Sequence, residues 1–365
     1  MWLTCSSIGR KLVMAVTGAC LVLFVTFHVL MNAVALAWPT AYNQVCEFLG
    51  ANWYALVASV GLAALFIVHI IYAVWLTIQN RKARGTDRYA VTSRPPQVEW
   101  SSKNMLVLGI VILAFLVVHL IQFWAKMQWQ ELRHAELAVL PQLSGAPVPP
   151  AMGTLFLQMA FSQPWTAIVY IVGFIALWFH MNHGFWSMFH TAGWDNGIWI
   201  ERLKKIGCWW TTVVVALFIA QAIVFTVLSH EKYYEKDIAL QEQYAAYWDE
   251  HAEKANTEFR SEMVNIQTQF NDMQNQAYEK QQQGTFTQDD AAAMEAKQQE
   301  LDRQGLEAMK KYVAAAEPMI KYAKQQAPDM HPMNLIETEH MVESCKNQIK
   351  AVENQLNGTP QMMAR

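Results

Sequence analysis

Charged residues are scarce in the first two-thirds of this 365-residue chain. Residues 1–230 carry 13 Lys and Arg and 7 Asp and Glu, whereas residues 231–365 carry 14 and 23. Soluble proteins spread apolar residues through amphipathic patterns, but here they form long unbroken runs. The composition excludes an ordinary soluble enzyme and an all-β sandwich. It predicts a membrane domain at residues 1–230 and a polar domain at residues 231–365.

Paired cysteines are also missing. The five cysteines occur singly, at Cys5, Cys20, Cys46, Cys208 and Cys345. Without a C-x-x-C pair, the sequence has no zinc, iron–sulfur or covalent c-type haem signature. Metal chemistry of those three kinds is therefore not expected of this chain.

Five apolar runs are long enough to span a membrane, since a helix needs about 20 mostly apolar residues to cross about 30 Å of hydrocarbon. They are roughly Leu12–Ala37, Trp53–Ile78, Met105–Lys126, Trp165–Phe189 and Ile206–Ser229. The first run has no clear small-x-small cleavage site, so it is expected to be retained as a span. The sequence predicts an all-α protein with a bundle of five transmembrane helices.

Basic residues alternate between the loops and so predict the orientation. Loop 38–52 has no Lys or Arg and loop 127–164 has only Arg133, whereas the N-terminal flank, loop 79–104 and loop 190–205 are basic. The positive-inside rule places the N-terminus in the cytoplasm. Five crossings then place the C-terminal tail outside, on the side opposite the basic loops.

Each of the first four predicted spans carries a histidine, and the fourth carries a second one nearby: His28, His69, His119, His180 and His183. Ionisable residues at membrane depth are costly, so each needs a partner or a function. Neutral imidazole is the usual axial ligand of b-type haem iron, and a bis-His site needs two facing helices. One histidine on each of four successive spans therefore predicts two haem sites.

Depth sorts four of these histidines into two pairs. Counted from the residues that flank the cytoplasmic span ends, His28 and His119 lie 17 and 16 residues deep, whereas His69 and His180 each lie 10 residues deep. The first pair would hold an outer haem and the second an inner haem, offset by roughly 10 Å at the helical rise per residue. That offset suits electron transfer. His183 remains an alternative ligand, or a hydrogen-bond partner of His180.

Three segments resemble a known family. They are SSIGRKLVMAVTG (residues 6–18), FHVLMN (27–32) and HMNHGFWSMFHTAG (180–193). They are similar to the single-chain, five-helix, dihaem cytochrome b subunit of succinate dehydrogenases and fumarate reductases, over about residues 1–230. That family has His, three residues and Gly on the fourth span. Here this is His180 with Gly184, which favours His180 over His183. The small Gly184 would let a porphyrin or a neighbouring backbone approach closely.

The resemblance implies a three-subunit complex. A flavoprotein with FAD would interconvert succinate and fumarate, and an iron–sulfur protein would carry the electrons. This chain, with two haem b groups, would anchor both on the cytoplasmic side of the lipid bilayer and exchange electrons with a quinone, usually menaquinone. The dicarboxylate site would lie on a partner. A dimer of heterotrimers is left open, and no nucleic-acid partner is expected.

The resemblance also points to individual residues. Ser6, Ser7 and Arg10 would bind propionates of the inner haem. Glu47, the only acid in loop 38–52, would act as the general base that takes protons from the quinol. Some members carry a Glu for a transmembrane proton path two residues before the fourth-span ligand. Here Trp178 stands in that position, which puts the path and the favoured reaction direction in doubt.

The polar tail does not match that family. Its composition favours helices, and a turn is predicted at Gly284 with a new helix beginning at Thr287–Asp290. Pro318, Pro328 and Pro332 are expected to break the following stretch, and Asn334–Asn354 is expected to be helical. An apolar stripe at three- and four-residue steps, from Tyr244 to Met273, predicts a packed helical hairpin or bundle.

Two other functions remain open. One is a cytochrome b anchor of a hydrogenase or formate dehydrogenase, which typically has four spans and lacks the SSIG-type motif. The other is a non-redox five-span protein that presents a periplasmic helical domain and whose histidines are structural. Haem absorption of the purified protein would separate the last function from the first two.

Overall fold

The computed structural model describes residues 6–84, 100–132, 149–194 and 196–358, and every regular element in these ranges is helical. The chain folds as two compact units, Met1–Lys236 and Asp237–Arg365. The helices of the first unit are α1 (Ser7–Ala37), α2 (Pro39–Ala51), α3 (Trp53–Arg84), α4 (Trp100–His119), α5 (Gln128–Leu132), α6 (Gly153–Phe161), α7 (Pro164–Thr191), α8 (Trp199–His230) and α9 (Tyr233–Lys236). Those of the second are α10 (Ile238–Gln282), α11 (Gln288–Gln326) and α12 (Met333–Gly358).

Five of these helices are long and apolar enough to cross a membrane: α1, α3, α4, α7 and α8. Large apolar side chains cover their outer surfaces, and on α3 Val60 and Ile67 are 62% and 56% exposed. Side chains of this kind are stable on a surface that faces hydrocarbon, because nothing is gained by removing them from it. The expectation of an all-α, multi-pass membrane protein is confirmed.

Local sequence explains where the spanning helices begin and end. Ser6 caps α1, because its hydroxyl oxygen accepts a hydrogen bond of 2.9 Å from the amide of Gly9. Pro39 and Pro164 lie in the first turns of α2 and α7, where the missing amide proton costs nothing. α4 does not end at His119 but continues as a π-helical turn over Leu120–Trp124.

Two helices, α1 and α7, form the centre of the bundle. α7 packs on α1, α4 and α8, and α1 also packs on α3 and α8. The buried amide of Gln221 on α8 donates a hydrogen bond of 2.9 Å to the carbonyl of Val29 on α1. In the described part of the chain, the backbones of α1 and α4, and those of α3 and α7, scarcely approach one another.

The second unit is a bundle of three antiparallel helices. Gly284 adopts a positive φ of 67° in the turn after α10, as only glycine does readily. α11 then begins with a capping box, in which Thr287 and Asp290 bond each other's backbone amides. Tyr244 and Trp248 of the apolar stripe are fully buried. This unit therefore shows the predicted turn and cap, with a third helix packed on the hairpin.

The expectation that Pro318 breaks the tail was wrong, because α11 runs through it to Gln326. A proline inside a helix costs about 3 kcal/mol, since it removes one hydrogen bond and crowds the carbonyl four residues earlier. That carbonyl belongs to Ala314, an exposed residue, so water can bond it. Buried Ala316 and Met319 on either side of the proline hold the helix in place. Pro328 and Pro332 do lie between α11 and α12.

Asn256 on α10 is expected to hold the three helices in register. Its buried side-chain oxygen accepts a hydrogen bond of 2.6 Å from Tyr312 on α11 and lies 3.1 Å from the hydroxyl of Thr338 on α12. Asn256→Ala leaves the buried Tyr312 hydroxyl without its acceptor, which costs about 1–3 kcal/mol. Hydrogen exchange of the whole chain in detergent should therefore be about tenfold faster or more across α10–α12.

The matched control is Asn265→Ala, on an exposed position of the same helix. It should leave that exchange unchanged. Equal effects of the two substitutions would contradict the role of Asn256.

Candidate functional site

The four span histidines meet as two pairs. His28 on α1 faces His119 on α4, with ring centroids 5.7 Å apart, and His69 on α3 faces His180 on α7, with centroids 6.3 Å apart. The two ring planes of each pair are steeply inclined, at 86° and 63°. The structure thus brings together the same partners that their depth in the sequence predicts.

The spacing of each pair matches two ligands on one metal ion. A metal–imidazole bond is about 2 Å long and its nitrogen lies about 1 Å from the ring centroid, so two imidazoles on opposite sides of one metal have centroids about 6 Å apart. No group of three or more His, Cys, Asp or Glu side chains converges anywhere in the described ranges. Each pair therefore offers two protein ligands, as many as a haem iron takes beyond its porphyrin.

Three of the four imidazole rings also contact a group outside their own pair. Nδ1 of His69 lies 3.1 Å from the hydroxyl of Thr17, and Nδ1 of His119 lies 3.2 Å from the hydroxyl of Tyr170. In both rings the nitrogen left for a ligand is Nε2. His28 stacks on Phe24, one turn earlier on α1. Such outer contacts orient imidazoles that bind metals.

His180 differs from these three. Its Nδ1 is buried and has no hydrogen-bond partner among the described residues. A buried polar atom without a partner is rare and costly, so it calls for an explanation in function. The residues present fit two bis-imidazole haem sites, in which a buried ring nitrogen of His180 has no partner among the described residues.

Two glycines lie at the level of the inner pair. A Cβ atom at Gly18 on α1 would lie 3.6 Å from Cε1 of His69, and one at Gly109 on α4 would lie 4.0 Å from Cε1 of His180. His28 and His119 each follow their glycine by ten residues. Along both helices the two pairs are therefore about 15 Å apart.

This separation is larger than the roughly 10 Å expected from counting inward along the sequence. The count assumed that the flanking polar residues mark one plane. α3 continues to Arg84, beyond the residue used as its reference, so the helix ends are staggered. This stagger changes the depth counted for each histidine, but it does not change which histidines pair.

His183 does not form the close ring pair with His69, because the ring next to His69 belongs to His180. The ring of His183 lies edge-on to Trp186 on its own helix, at 4.9 Å. Gly184 has no protein atom within 4 Å of the position of an added Cβ in the described part of the chain. A backbone neighbour, one of the two reasons considered for a small residue there, is therefore not seen.

The residues expected at the cytoplasmic end have mixed surroundings. The hydroxyl of Ser6 caps α1, and Ser7 is exposed. The guanidinium of Arg10 lies 5.4 Å above the ring of Trp75, about 10 Å along α1 from Thr17.

Trp178 donates a hydrogen bond of 2.9 Å to Thr212 on α8. Of the basic residues in loop 79–104, Arg88 and Arg94 lie outside the described residues.

At the opposite end, α2 and α6 cover the bundle. The buried side-chain oxygen of Asn43 accepts hydrogen bonds of 2.9 Å from both the amide and the hydroxyl of Thr154. Burial raises the pKa of the Cys46 thiol to about 12, and burial also raises the pKa of the Tyr42 phenol. Glu47 is exposed on the same helix. Its carboxylate is therefore accessible from outside this buried cluster.

Several site residues were not identified from the sequence. Thr17, Tyr170 and Gln122 contact the histidines or their partners, and they are ordinary polar residues of apolar helices. A signal for the inner contacts was present, since the spacing of Gly18 to His28 recurs from Gly109 to His119. No sequence signal marks the π-helical turn after His119, which depends on packing between helices.

Gly173 on α7 is expected to be essential for the packing next to the outer pair. A Cβ there would lie 2.8 Å from Cβ of Phe115, whose ring packs on both His119 and Tyr170. Overpacking costs about 1–3 kcal/mol, whereas alanine gains at most about 1 kcal/mol of helix propensity. Gly173→Ala should therefore lower the thermal unfolding midpoint of the purified chain. Gly61→Ala, with no atom of the described residues within 4 Å of its added Cβ, should not, and equal midpoints would refute the packing argument.

Comparison of the chain with known protein families, with curated proteins and with solved structures finds no match. The function must therefore be argued from the residues themselves. The central observation is geometric: two imidazole pairs, each spaced for one metal ion, lie about 15 Å apart along the centre of a membrane bundle.

Proposed function

We propose that this chain is a dihaem cytochrome b membrane anchor. In this proposal it belongs to a succinate dehydrogenase or fumarate reductase complex and transfers electrons between a quinone, usually menaquinone, and an iron–sulfur partner subunit. The observation that carries the proposal is the pairing of His28 with His119 and of His69 with His180, with centroids 5.7 and 6.3 Å apart. Haem b, when bound, supplies reversible one-electron chemistry.

The protein's own residues would bind and orient the two groups. In the outer site, His28 and His119 would each supply one imidazole nitrogen to the haem iron; in the inner site, His69 and His180 would do so. Gly18 and Gly109 leave room beside the inner pair. Arg10, together with Ser6 and Ser7, is proposed to bind the carboxylates of the inner haem, because a guanidinium is the side chain best suited to carboxylates.

The proposed orientation follows from the basic loops. The N-terminus and the loops around 79–104 and 190–205 would face the cytoplasm, where the flavoprotein and the iron–sulfur protein would dock. The second unit would then lie in the periplasm of a bacterial inner membrane. Residues 231–365 carry 14 basic and 23 acidic residues. This net negative charge would lie on the side opposite the docking surface.

Two alternatives differ in the result they require. A cytochrome b anchor of a hydrogenase or formate dehydrogenase would contain haem but would co-purify with a different catalytic subunit. A non-redox membrane protein would contain no haem. The partner masses, the haem content per chain and the quinol:fumarate activity of one sample, purified by a tag on this chain, separate the three proposals.

Substitution of the paired histidines tests the haem sites directly. His28→Ala or His119→Ala should remove about half of the bound haem, and His69→Ala or His180→Ala should remove the other half, because each iron loses an axial ligand. The measurement is haem per chain together with the reduced-minus-oxidised spectrum of the purified complex.

His183→Ala is the matched control on the helix of His180, and it should retain both haems. If His183→Ala removed the inner haem and His180→Ala did not, the ligand assignment on α7 would be wrong. Retention of full haem content by all four paired variants would exclude the proposed sites.

Glu47 is proposed as the acceptor of quinol protons on the outer side. Its carboxylate is exposed on α2, where it can exchange protons with water. Glu47→Gln should slow quinol oxidation by about 10²–10⁴-fold, the usual contribution of a general base, while haem content stays at two per chain. Glu201→Gln, at the exposed cytoplasmic start of α8, is the control. Unchanged quinol oxidation by Glu47→Gln would remove the residue from the mechanism.

A further inference from the structure

The hydroxyl proton of Tyr170 points toward Gln122. It donates a hydrogen bond of 2.9 Å to the side-chain oxygen of Gln122. The Gln122 amide is oriented for this, since its nitrogen donates to the Thr166 hydroxyl at 3.3 Å. A phenol hydroxyl can donate only one hydrogen bond, and that of Tyr170 goes to Gln122. Toward Nδ1 of His119, 3.2 Å away, Tyr170 can therefore only accept, so this nitrogen must carry a proton.

The same argument applies to the inner pair with different groups. The hydroxyl of Thr17 donates a hydrogen bond of 2.8 Å to the carbonyl of Val13, one turn earlier on α1. Its single proton is thereby used. The Thr17 oxygen lies 3.1 Å from Nδ1 of His69, and with its proton directed to the carbonyl it can only accept from this nitrogen. His69 and His119 are therefore both held as the tautomer with hydrogen on Nδ1, and both have a lone pair on Nε2.

We propose that Tyr170 and Thr17 are positioning residues that set the reduction potential of one haem each. This inference rests on the proposed function. Tyr170, through His119, acts on the outer site, and Thr17, through His69, acts on the inner site. A hydrogen bond accepted from Nδ1–H makes the imidazole a stronger electron donor. It therefore favours the ferric state of the iron and lowers its potential.

The two devices are built differently. Thr17 donates its hydrogen bond to a backbone carbonyl within α1, so the contact at the inner site depends on one helix and one side chain. Tyr170 depends on Gln122, which lies in the π-helical turn that follows His119. His119 directly precedes this turn, and both His119 and Gln122 reach the same hydroxyl on α7. π-helical turns are frequent at functional sites, and here the turn completes a chain of three hydrogen bonds.

The test is a redox titration of the purified complex, with the haem absorbance resolved into two components. Tyr170→Phe keeps the ring that packs on Phe115 and Phe161 and removes only the hydroxyl, which accepts from His119 and donates to Gln122. It should raise the midpoint potential of one component and leave the other unchanged. Thr17→Val should raise the other component instead. Gln122→Leu should shift the same component as Tyr170→Phe by a smaller amount, because the phenol remains but is less polarised.

Matched controls exist for both substitutions. Thr26→Val removes a hydroxyl on the same helix that donates a hydrogen bond of 2.9 Å to the carbonyl of Val22. Tyr72→Phe removes a phenol on α3 whose ring packs on Trp75. Both should leave the two potentials unchanged. Low-temperature electron paramagnetic resonance provides a second readout, because the ferric signal of the affected haem should shift in the Tyr170→Phe and Thr17→Val variants alone.

The outcomes separate this inference from the proposed function. Two haems with potentials unmoved by Tyr170→Phe, Thr17→Val and Gln122→Leu would overturn the inference and leave the anchor function standing. A shift of the same component by Tyr170→Phe and Thr17→Val would overturn the assignment of one residue to each site. Absence of haem from the unsubstituted complex would overturn both proposals.

Discussion

The candidate site depends on imidazoles that face each other across helices whose backbones scarcely meet. α1 and α4 are joined at His28 and His119, and α3 and α7 at His69 and His180. Neutral histidines inside a bilayer are costly unless something binds their nitrogens. The close contacts of α7 with α1, α4 and α8 hold the helices so that these rings meet. Packing elsewhere in the bundle therefore supports two otherwise unfavourable groupings.

The two pairs lie in different surroundings, although their spacing is similar. Next to the outer pair, Phe115, Phe174 and Tyr170 pack edge-on against one another, so the site has rigid apolar walls. Next to the inner pair, glycines and a threonine replace the aromatic rings. Rigid walls and small residues constrain a bound group differently, and this difference gives one protein two sites that need not behave alike.

The second unit is specified by buried polar groups and not by its many surface charges. Ion pairs such as Lys324–Glu339 and Lys346–Glu317 join its helices but are exposed, and exposed pairs contribute little. The carboxylate of Asp249 binds the amides at the start of α12 at 2.9 and 3.3 Å, while Asn256 joins all three helices. Hydrogen bonds of this kind have one correct geometry, so they select one register among many that would bury the same apolar stripe.

The sequence by itself predicted the five spanning helices and the partner of each histidine. The helices follow from the length of the apolar runs, and the partners follow from the depth of each histidine in its span. It also determined the cap at Thr287, which is a local bond. Only the tertiary structure decided the separation of the two pairs, the passage of α11 through Pro318, and the roles of Thr17, Tyr170 and Gln122. These depend on which groups from distant parts of the chain meet, and a polar residue in an apolar helix carries no local sign of its partner.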